Sequence, residues 1–336
     1  MSGRRPRLAV TLGDPRGIGP EVVAAASGDD ELRRSADLVA VGPEETRPAV
    51  DLPLEAVGRW DPTPEDAEER AGRLAGRAVE RACELALAGE VDGLVTAPLS
   101  KSALAAAGYP WPGHTEFLRD RTGVDEVTMM MTAETTPLGG PLRMALVTAH
   151  LPLRQVPERL TVELVVERAR IAAGALRSWW GMASPRLALA GVNPHASEGG
   201  LFGDEEARVL EPAARRLAGE DGLRIDGIHP ADTVFRRCLE GRVDAVVVPY
   251  HDVGLAVLKT LALERGVNVT AGLPFPRTSP DHGTALDIAG RGEADPSSML
   301  EALRLCARFC RTGDRDGAGP AGGAAAPAAG SAGADG

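Results

Sequence analysis

The sequence predicts an α/β protein, with helices layered on a parallel or mixed sheet, and three observations predict it. Short apolar runs end in Gly- or Pro-containing turns that lead into helical patterns, the signature of strands alternating with helices. Aromatic residues make up only 3% of a chain that is 43% hydrophobic, so the core must be built from Ala, Val and Leu, which suits helices on a sheet better than a β-sandwich. A length of 336 residues is enough for two ordinary domains or one large α/β unit.

In chain order, RLAVTL (7–12) reads as a first strand that runs into GDPRGIGPEVV. That segment is a glycine-rich turn with a helix starting at Pro20, where a first-position Pro followed by Glu21 suits a helix N-terminus. The turn either cradles an anion on its backbone amides or is only a tight connection. DLVAVG (37–42) reads as a second strand and residues 64–89 as a strongly amphipathic helix. A strand reaching Val95 then ends in TAPLSK, which places Lys101 near the carboxyl end of a strand, where open α/β sheets bind ligands. In GHTEFL (113–118), Thr115 is expected to cap a helix starting at Glu116, while His114 is either a turn residue or a ligand contact.

RMALVTAH (143–150), RLALAGVNPH (186–195) and VDAVVVPYH (243–251) are each an apolar run that terminates at a histidine. If these strands are parallel neighbours, His150, His195 and His251 converge at one sheet edge, and three imidazoles make a divalent-metal site with an open position. Helices are predicted over 155–179 and 204–218, the second capped by Asp204. In GIHPADTVF (227–235), Asp232 is a helix cap or a group that orients a residue of a site, the local pattern favouring the cap, and His229 is an ordinary loop residue. Residues 312–336 lose all apolar periodicity and read as a disordered Ala/Gly-rich tail.

Composition narrows the function. The chain has 35 arginines but two lysines, Lys101 and Lys259, and two asparagines, Asn193 and Asn268. A chain that writes Arg for its surface cations keeps Lys where a compact ammonium is needed, so both lysines are site candidates. A net charge of −11 and no basic run interleaved with aromatics argue against a nucleic-acid partner, though not against small anions. No stretch approaches the ~18 apolar residues of a membrane span, and the N-terminus lacks a signal-peptide pattern. A cytoplasmic protein without membrane partners is expected. The scattered Cys83, Cys238, Cys306 and Cys310 read as buried thiols.

GDPRGIGPE, TAPLSK, GHTEFL, LVTAHLPL, NPHASEGGLFGDEE, HPADTVF, YHDVGLAVLK and GVNVTAGLPFPRTSPDHGTALDIAG together resemble the 4-hydroxythreonine-4-phosphate dehydrogenase family of vitamin B6 biosynthesis, from residue 8 to about 310. The resemblance implies a two-domain fold like that of isocitrate and isopropylmalate dehydrogenases, with an interdomain cleft and a homodimer that shares its active sites. Residues 1–112 with 291–311 would form one α/β domain and 113–290 the other. DHGTALDIAGRGEADP resembles the cofactor segment of those dehydrogenases, which implies NAD or NADP on Asp281, His282, Gly283, Thr284 and Ala285. It also implies a divalent metal (zinc, manganese, cobalt or magnesium) on His150, His195 and His251, with the third ligand donated across the dimer interface. Substrate contacts would fall on His114, Thr115, Lys259, Asn268 and Arg277, and catalytic roles on Lys259 and on Asp232 near the metal.

The implied reaction is oxidation of a small phosphorylated hydroxy acid such as 4-phosphohydroxy-L-threonine by NAD(P)⁺, with loss of CO₂ from the resulting β-keto acid. Two residues depart from the family pattern: Val253 stands where Gln is usual and Arg16 where a small residue is usual. These changes imply a retuned substrate, and TAPLSK and TLGDP look more like relatives acting on phosphorylated threonate or erythronate or on a cyclic dihydrodiol carboxylate. More distant alternatives are a metal-dependent lyase or hydrolase without a dinucleotide, and an idle ligand-binding module.

Overall fold

Eleven strands among the described residues form a single sheet. They are β1 Arg7–Thr11, β2 Asp37–Gly42, β3 Leu54–Ala56, β4 Gly93–Thr96, β5 Thr128–Ala133 and β6 Leu142–Leu146, followed by β7 Arg186–Ala190, β8 Arg224–His229, β9 Ala245–Val248, β10 Val267–Ala271 and β11 Arg277–Pro280. The structure is a computed structural model that describes residues 4–46, 50–63 and 65–313. The tail expected over 312–336 therefore lies, from residue 314 onward, outside the described residues.

The strand order is β3-β2-β1-β4-β11-β10-β5-β6-β9-β7-β8. From β3 to β11 all pairs are parallel, as are those from β6 to β8. The middle pairs, β11 with β10, β10 with β5 and β5 with β6, are antiparallel. The reason is connection length: β5 to β6 and β10 to β11 are joined by short loops, and a short loop can only return a chain antiparallel, whereas parallel neighbours need a crossover. The sheet is therefore mixed, and its two parallel wings carry the helices.

The parallel strands are buried on both faces, so they read as continuous apolar runs; Leu8, Ala9 and Val10 of β1 have no exposed surface. The helix Ala67–Leu87 buries Ala71, Leu74, Ala75, Ala78, Val79 and Ala82 at three- and four-residue spacing. Its Gly72 lets the helix Lys101–Ala106 approach closely, since a Cβ there would stand 1.8 Å from the Ala103 carbonyl oxygen. That contact, with Ser100 capping the Ala103 amide, fixes where Lys101 begins its helix. The C-terminal helix Ser297–Gly313 crosses back over β4 and β11, burying Met299, Leu303, Cys306 and Phe309. All four cysteines are buried and outside any disulfide.

Three expected caps are not formed. The helix expected at Glu116 begins at His114 with Gly113 at the N-cap, so Thr115 lies inside the first turn and cannot cap it. Asp204 precedes a π-helical turn, Glu206–Leu210, and its carboxylate pairs with Arg208 at 3.5 Å instead of capping. The helix Val234–Leu239 takes Thr233 as its N-cap residue, without a side-chain bond, and leaves Asp232 exposed. No helix among the described residues is long and apolar enough to cross a membrane.

Candidate active site

A cavity of about 310 Å³ opens where the two parallel wings meet the antiparallel centre. Its wall draws on nearly every element there: Thr96 and Pro98 after β4, Lys101, His114, Thr115 and Glu116 from the two helix starts, Met129 on β5 and His150 after β6. Lys259 projects from the helix His251–Ala262, Asn268 from β10, and Arg277 and Ser279 from β11, with Asp281, His282 and Gly283 completing the rim. All five expected substrate residues thus share one wall. Both lysines of the chain do as well.

Arg277 forms the floor. Only 2% of it is exposed, and its Nη1 and Nη2 donate to Thr270 Oγ1 of β10 and Thr96 Oγ1 of β4, while Nε has no partner. No carboxylate stands within ion-pair distance of it, and burial pushes its pKa down to about 10, which still leaves it charged at neutral pH. His114 is buried beside it with Nε2 unpartnered. Burial, and then the Arg277 charge, hold its imidazole well below the usual histidine range, so it is neutral. Asn268 Oδ1 is a third buried polar atom without a partner. Unsatisfied buried groups are costly, and a ligand that combines anionic oxygens for Arg277 with a hydroxyl donor for Asn268 Oδ1 would satisfy them.

Lys259 lies 3.6 Å from Asp281, whose own Oδ2 is otherwise unpartnered. Burial raises the Asp281 carboxyl, and the charges of Lys259, His251 and His282 oppose that rise without cancelling it. The loop after Asp281 is irregular and pinned to the first glycine-rich turn, because Ile18 N donates to the Thr284 carbonyl at 3.0 Å. Gly17 permits this, since a Cβ there would stand 2.7 Å from that same oxygen. Thr284 and Ala285 therefore lie behind His282 and Gly283 and do not line the cavity.

The three histidine-ended strands are parallel neighbours, in the order β6-β9-β7. They bring two imidazoles together: the rings of His150 and His251 are 5.7 Å apart. Burial, then Lys101, then His251 hold His150 below its ordinary pKa, which keeps it in the neutral form that ligates metals. Asp252 accepts from His251 Nδ1 at 2.8 Å, leaving Nε2 as the donor atom. His195 is different: it is exposed, lies outside the cavity wall, and sits in a left-handed run of four non-glycine residues, His195 to Glu198, with φ between 45° and 65°. Among the described residues no group of three His, Cys, Asp or Glu side chains could hold a metal ion. The chain alone offers two ligands of the expected three.

Asp232 also stands outside the wall, after β8 and beyond His195 in the sheet order. Neither family departure lines the cavity. Arg16 is committed to the fully buried Asp14, donating from Nε at 3.1 Å and from Nη2 at 2.8 Å. Val253 packs on the apolar cluster beneath its helix. The wall residues that the sequence did not single out are Thr96, Glu116 and Ser279. Asp252, outside the wall, was not singled out either, although a carboxylate directly after a strand-ending histidine is a legible signal for ring orientation.

Comparison with known proteins agrees along the whole fold. The family described as "Pyridoxal phosphate biosynthetic protein PdxA" matches residues 22–306. A 4-hydroxythreonine-4-phosphate dehydrogenase of Ruegeria sp. is 40% identical over 334 residues, covering 93% of this chain and 99% of the relative. The crystal structure of 4-hydroxythreonine-4-phosphate dehydrogenase from Klebsiella pneumoniae superposes with a TM-score of 0.78 at 37% identity, covering 92% of this chain and 99% of that one. A terephthalate 1,2-cis-dihydrodiol dehydrogenase from Burkholderia xenovorans is more distant, at 30% identity and a TM-score of 0.62, covering 91% and 98%.

Proposed function

The chain belongs to the pyridoxal phosphate biosynthetic protein PdxA family, and on that premise we propose that it is an NAD(P)-linked oxidoreductase of pyridoxine biosynthesis. It oxidises the alcohol of a small phosphorylated hydroxy acid such as 4-phosphohydroxy-L-threonine, with decarboxylation following oxidation. One observation carries this reading: Lys101, Lys259 and the buried Arg277 line a single cavity, with neutral His114 and Asn268 between them and the Asp281–Gly283 rim beside them. We read that cavity as an interdomain cleft, with residues 1–112 and 291–311 on one side and 113–290 on the other.

In this reading Arg277 fixes the substrate by its free Nε edge, and charge-assisted hydrogen bonds from it and from Lys259 hold the reacting carbon in place. His114, kept neutral, can accept or donate at Nε2, and Thr115 supplies a hydroxyl. Lys259 and Asp281 form the pair that takes up the alcohol proton: the carboxylate accepts it and the ammonium balances the charge that moves. The Asp281–Ala285 loop holds the dinucleotide, with the unpartnered His282 Nε2 and exposed Gly283 facing it. When bound, the dinucleotide accepts the hydride and a divalent metal polarises the alcohol.

His150, held neutral by burial, and His251, oriented by Asp252, fit such a metal. The third ligand is assigned to His195 of a second subunit, and Asp232 on the adjacent loop is assigned to that same neighbouring site. Support for a homodimer comes from Leu151, Leu153, Leu201 and Phe202, exposed by 38%, 67%, 72% and 44% on the two loops that carry His150 and His195. Purified protein given NAD⁺ or NADP⁺, a divalent metal and 4-phosphohydroxy-L-threonine, 4-phosphothreonate or 4-phosphoerythronate should generate reduced cofactor with at least the first. No reduced cofactor with any of the three would end the claim of a phosphorylated substrate.

A further inference from the structure

The cavity holds a cation that the proposed reaction has not used. Lys101 is the first residue of the helix Lys101–Ala106, and its Cε comes within 3.9 Å of where a Cβ on Gly113 would stand, which carries the ammonium toward the turn bearing His114 and Thr115. Among the described residues it makes no ion pair or side-chain hydrogen bond, whereas the other lysine of the chain is tied to Asp281. Its element follows β4, in one parallel wing, while Lys259 comes from the helix after β9, in the other. The chain's two lysines therefore line one cavity from opposite wings, with the buried Arg277 as its third cation.

Charge balance gives this arrangement a consequence. Lys101, Lys259 and Arg277 face two carboxylates in the wall, Glu116 and Asp281, while burial holds His114 and His150 neutral. Without Lys101 the fixed charges cancel, and a ligand carrying both a phosphate and a carboxylate would meet no net attraction. Arg277 has its Nη groups occupied and presents a planar Nε edge, which suits a carboxylate. A phosphate spreads about −1.5 to −2 charges over three divergent oxygens, which suits two compact ammoniums approaching from different sides.

We propose that Lys101 is a phosphate-binding residue of this pocket, clasping the substrate phosphate between itself and Lys259 and so bridging the two wings of the sheet. The inference rests on the phosphorylated-substrate reading above, and the test separates the two. Because the chain has two lysines, protein grown on lysine labelled with ¹³C at Cε gives two side-chain signals, and K101R assigns them by removing one. Titration with inorganic phosphate should move both signals. In steady-state assays with 4-phosphohydroxy-L-threonine, K101Q should raise KM by about tenfold or more, the loss falling on KM rather than kcat, as expected for one lost charge-assisted bond. Competitive inhibition by unphosphorylated 4-hydroxythreonine should be unaffected by K101Q. A shift of the Lys259 signal alone, with an unchanged KM in K101Q, overturns the role of Lys101 and leaves the substrate reading standing. Equal weakening of the phosphorylated and unphosphorylated ligands assigns Lys101 to the carboxylate and also overturns the proposal. Two unmoved signals together with no turnover overturn both.

Discussion

Burying a guanidinium without a carboxylate partner is unfavourable, yet Arg277 is among the most buried large side chains of the molecule and has only two threonine hydroxyls as partners. In the absence of ligand that arrangement is a cost, and it is recovered when an anion enters. R277M, close in length and without charge, is therefore expected to leave the ligand-free protein as stable as before or more stable, by on the order of 1 kcal/mol. The same change should abolish thermal stabilisation by unphosphorylated 4-hydroxythreonine, a ligand that offers Arg277 its carboxylate. Melting curves of both proteins with and without that ligand check this. A large drop in the melting temperature of ligand-free R277M would mean that Arg277 is a structural strut. His114 belongs to the same logic: an imidazole kept neutral by burial beside a cation is held ready for a hydrogen bond and is not a charge carrier.

At the scale of elements, the inner parallel strands were legible, while the parallel edge strands β3 and β8, the latter ending at His229 that reads as a loop residue, and the antiparallel centre were not. β1, β2 and β4 are unbroken apolar runs closed by Gly or Pro, which is how a strand buried on both faces must be written. RTSP of β11 carries an arginine and a serine because that strand turns polar groups into the cavity, and function there overrides the apolar pattern, while TMMMTA of β5 mixes threonines into its run and lends the wall only Met129. The histidine-ended strands were readable for the same reason that β1 was. The left-handed turn at His195 was not, since four consecutive non-glycine residues with positive φ contradict local propensity by on the order of 1 kcal/mol each. What holds the start of that turn is remote in sequence: Glu206, 3% exposed, accepts from Val192 N, Asn193 N and Asn193 Nδ2 at 2.7 to 2.9 Å.

A second buried carboxylate joins elements in a way open to a direct stability test. Glu134, just after β5, accepts from Arg143 of β6, from Trp180 and from Arg308 on the C-terminal helix. Burial alone would push its carboxyl up, but the bonds and charges of Arg143 and Arg308 outweigh that and hold it at about 2. A depressed folded-state pKa contributes stability that is present above the unfolded value near 4.5 and is lost as pH falls toward 2. E134Q should therefore lower stability at neutral pH by about 3 kcal/mol, with the deficit shrinking as pH drops below about 4.5. Urea titrations of both proteins from neutral pH into the acid range test this. A deficit independent of pH would show that packing, not charge, is what Glu134 contributes.

On the scale of the whole molecule, the proposed metal site calls for a second chain. His150 and His251 meet in one subunit, while His195 stands exposed on its left-handed turn among uncovered leucines, two strands further along the sheet from β6. If the third ligand crosses a twofold interface, H150A and H195A are each inactive as homodimers but complement one another. In a heterodimer, the subunit that keeps His150 and His251 receives the partner's His195, so one of its two sites is whole and the other lacks two ligands. Statistical reassociation of equal amounts makes half of the dimers mixed, each with one working site, so about a quarter of wild-type activity should return. Mixing H150A with H251A should return nothing, because those two ligands belong to the same subunit. Activity and bound metal, measured on the same reassociated samples, should rise together. Recovery with H150A and H251A, or none with H150A and H195A, would mean that the histidines are divided between the chains differently or act within one.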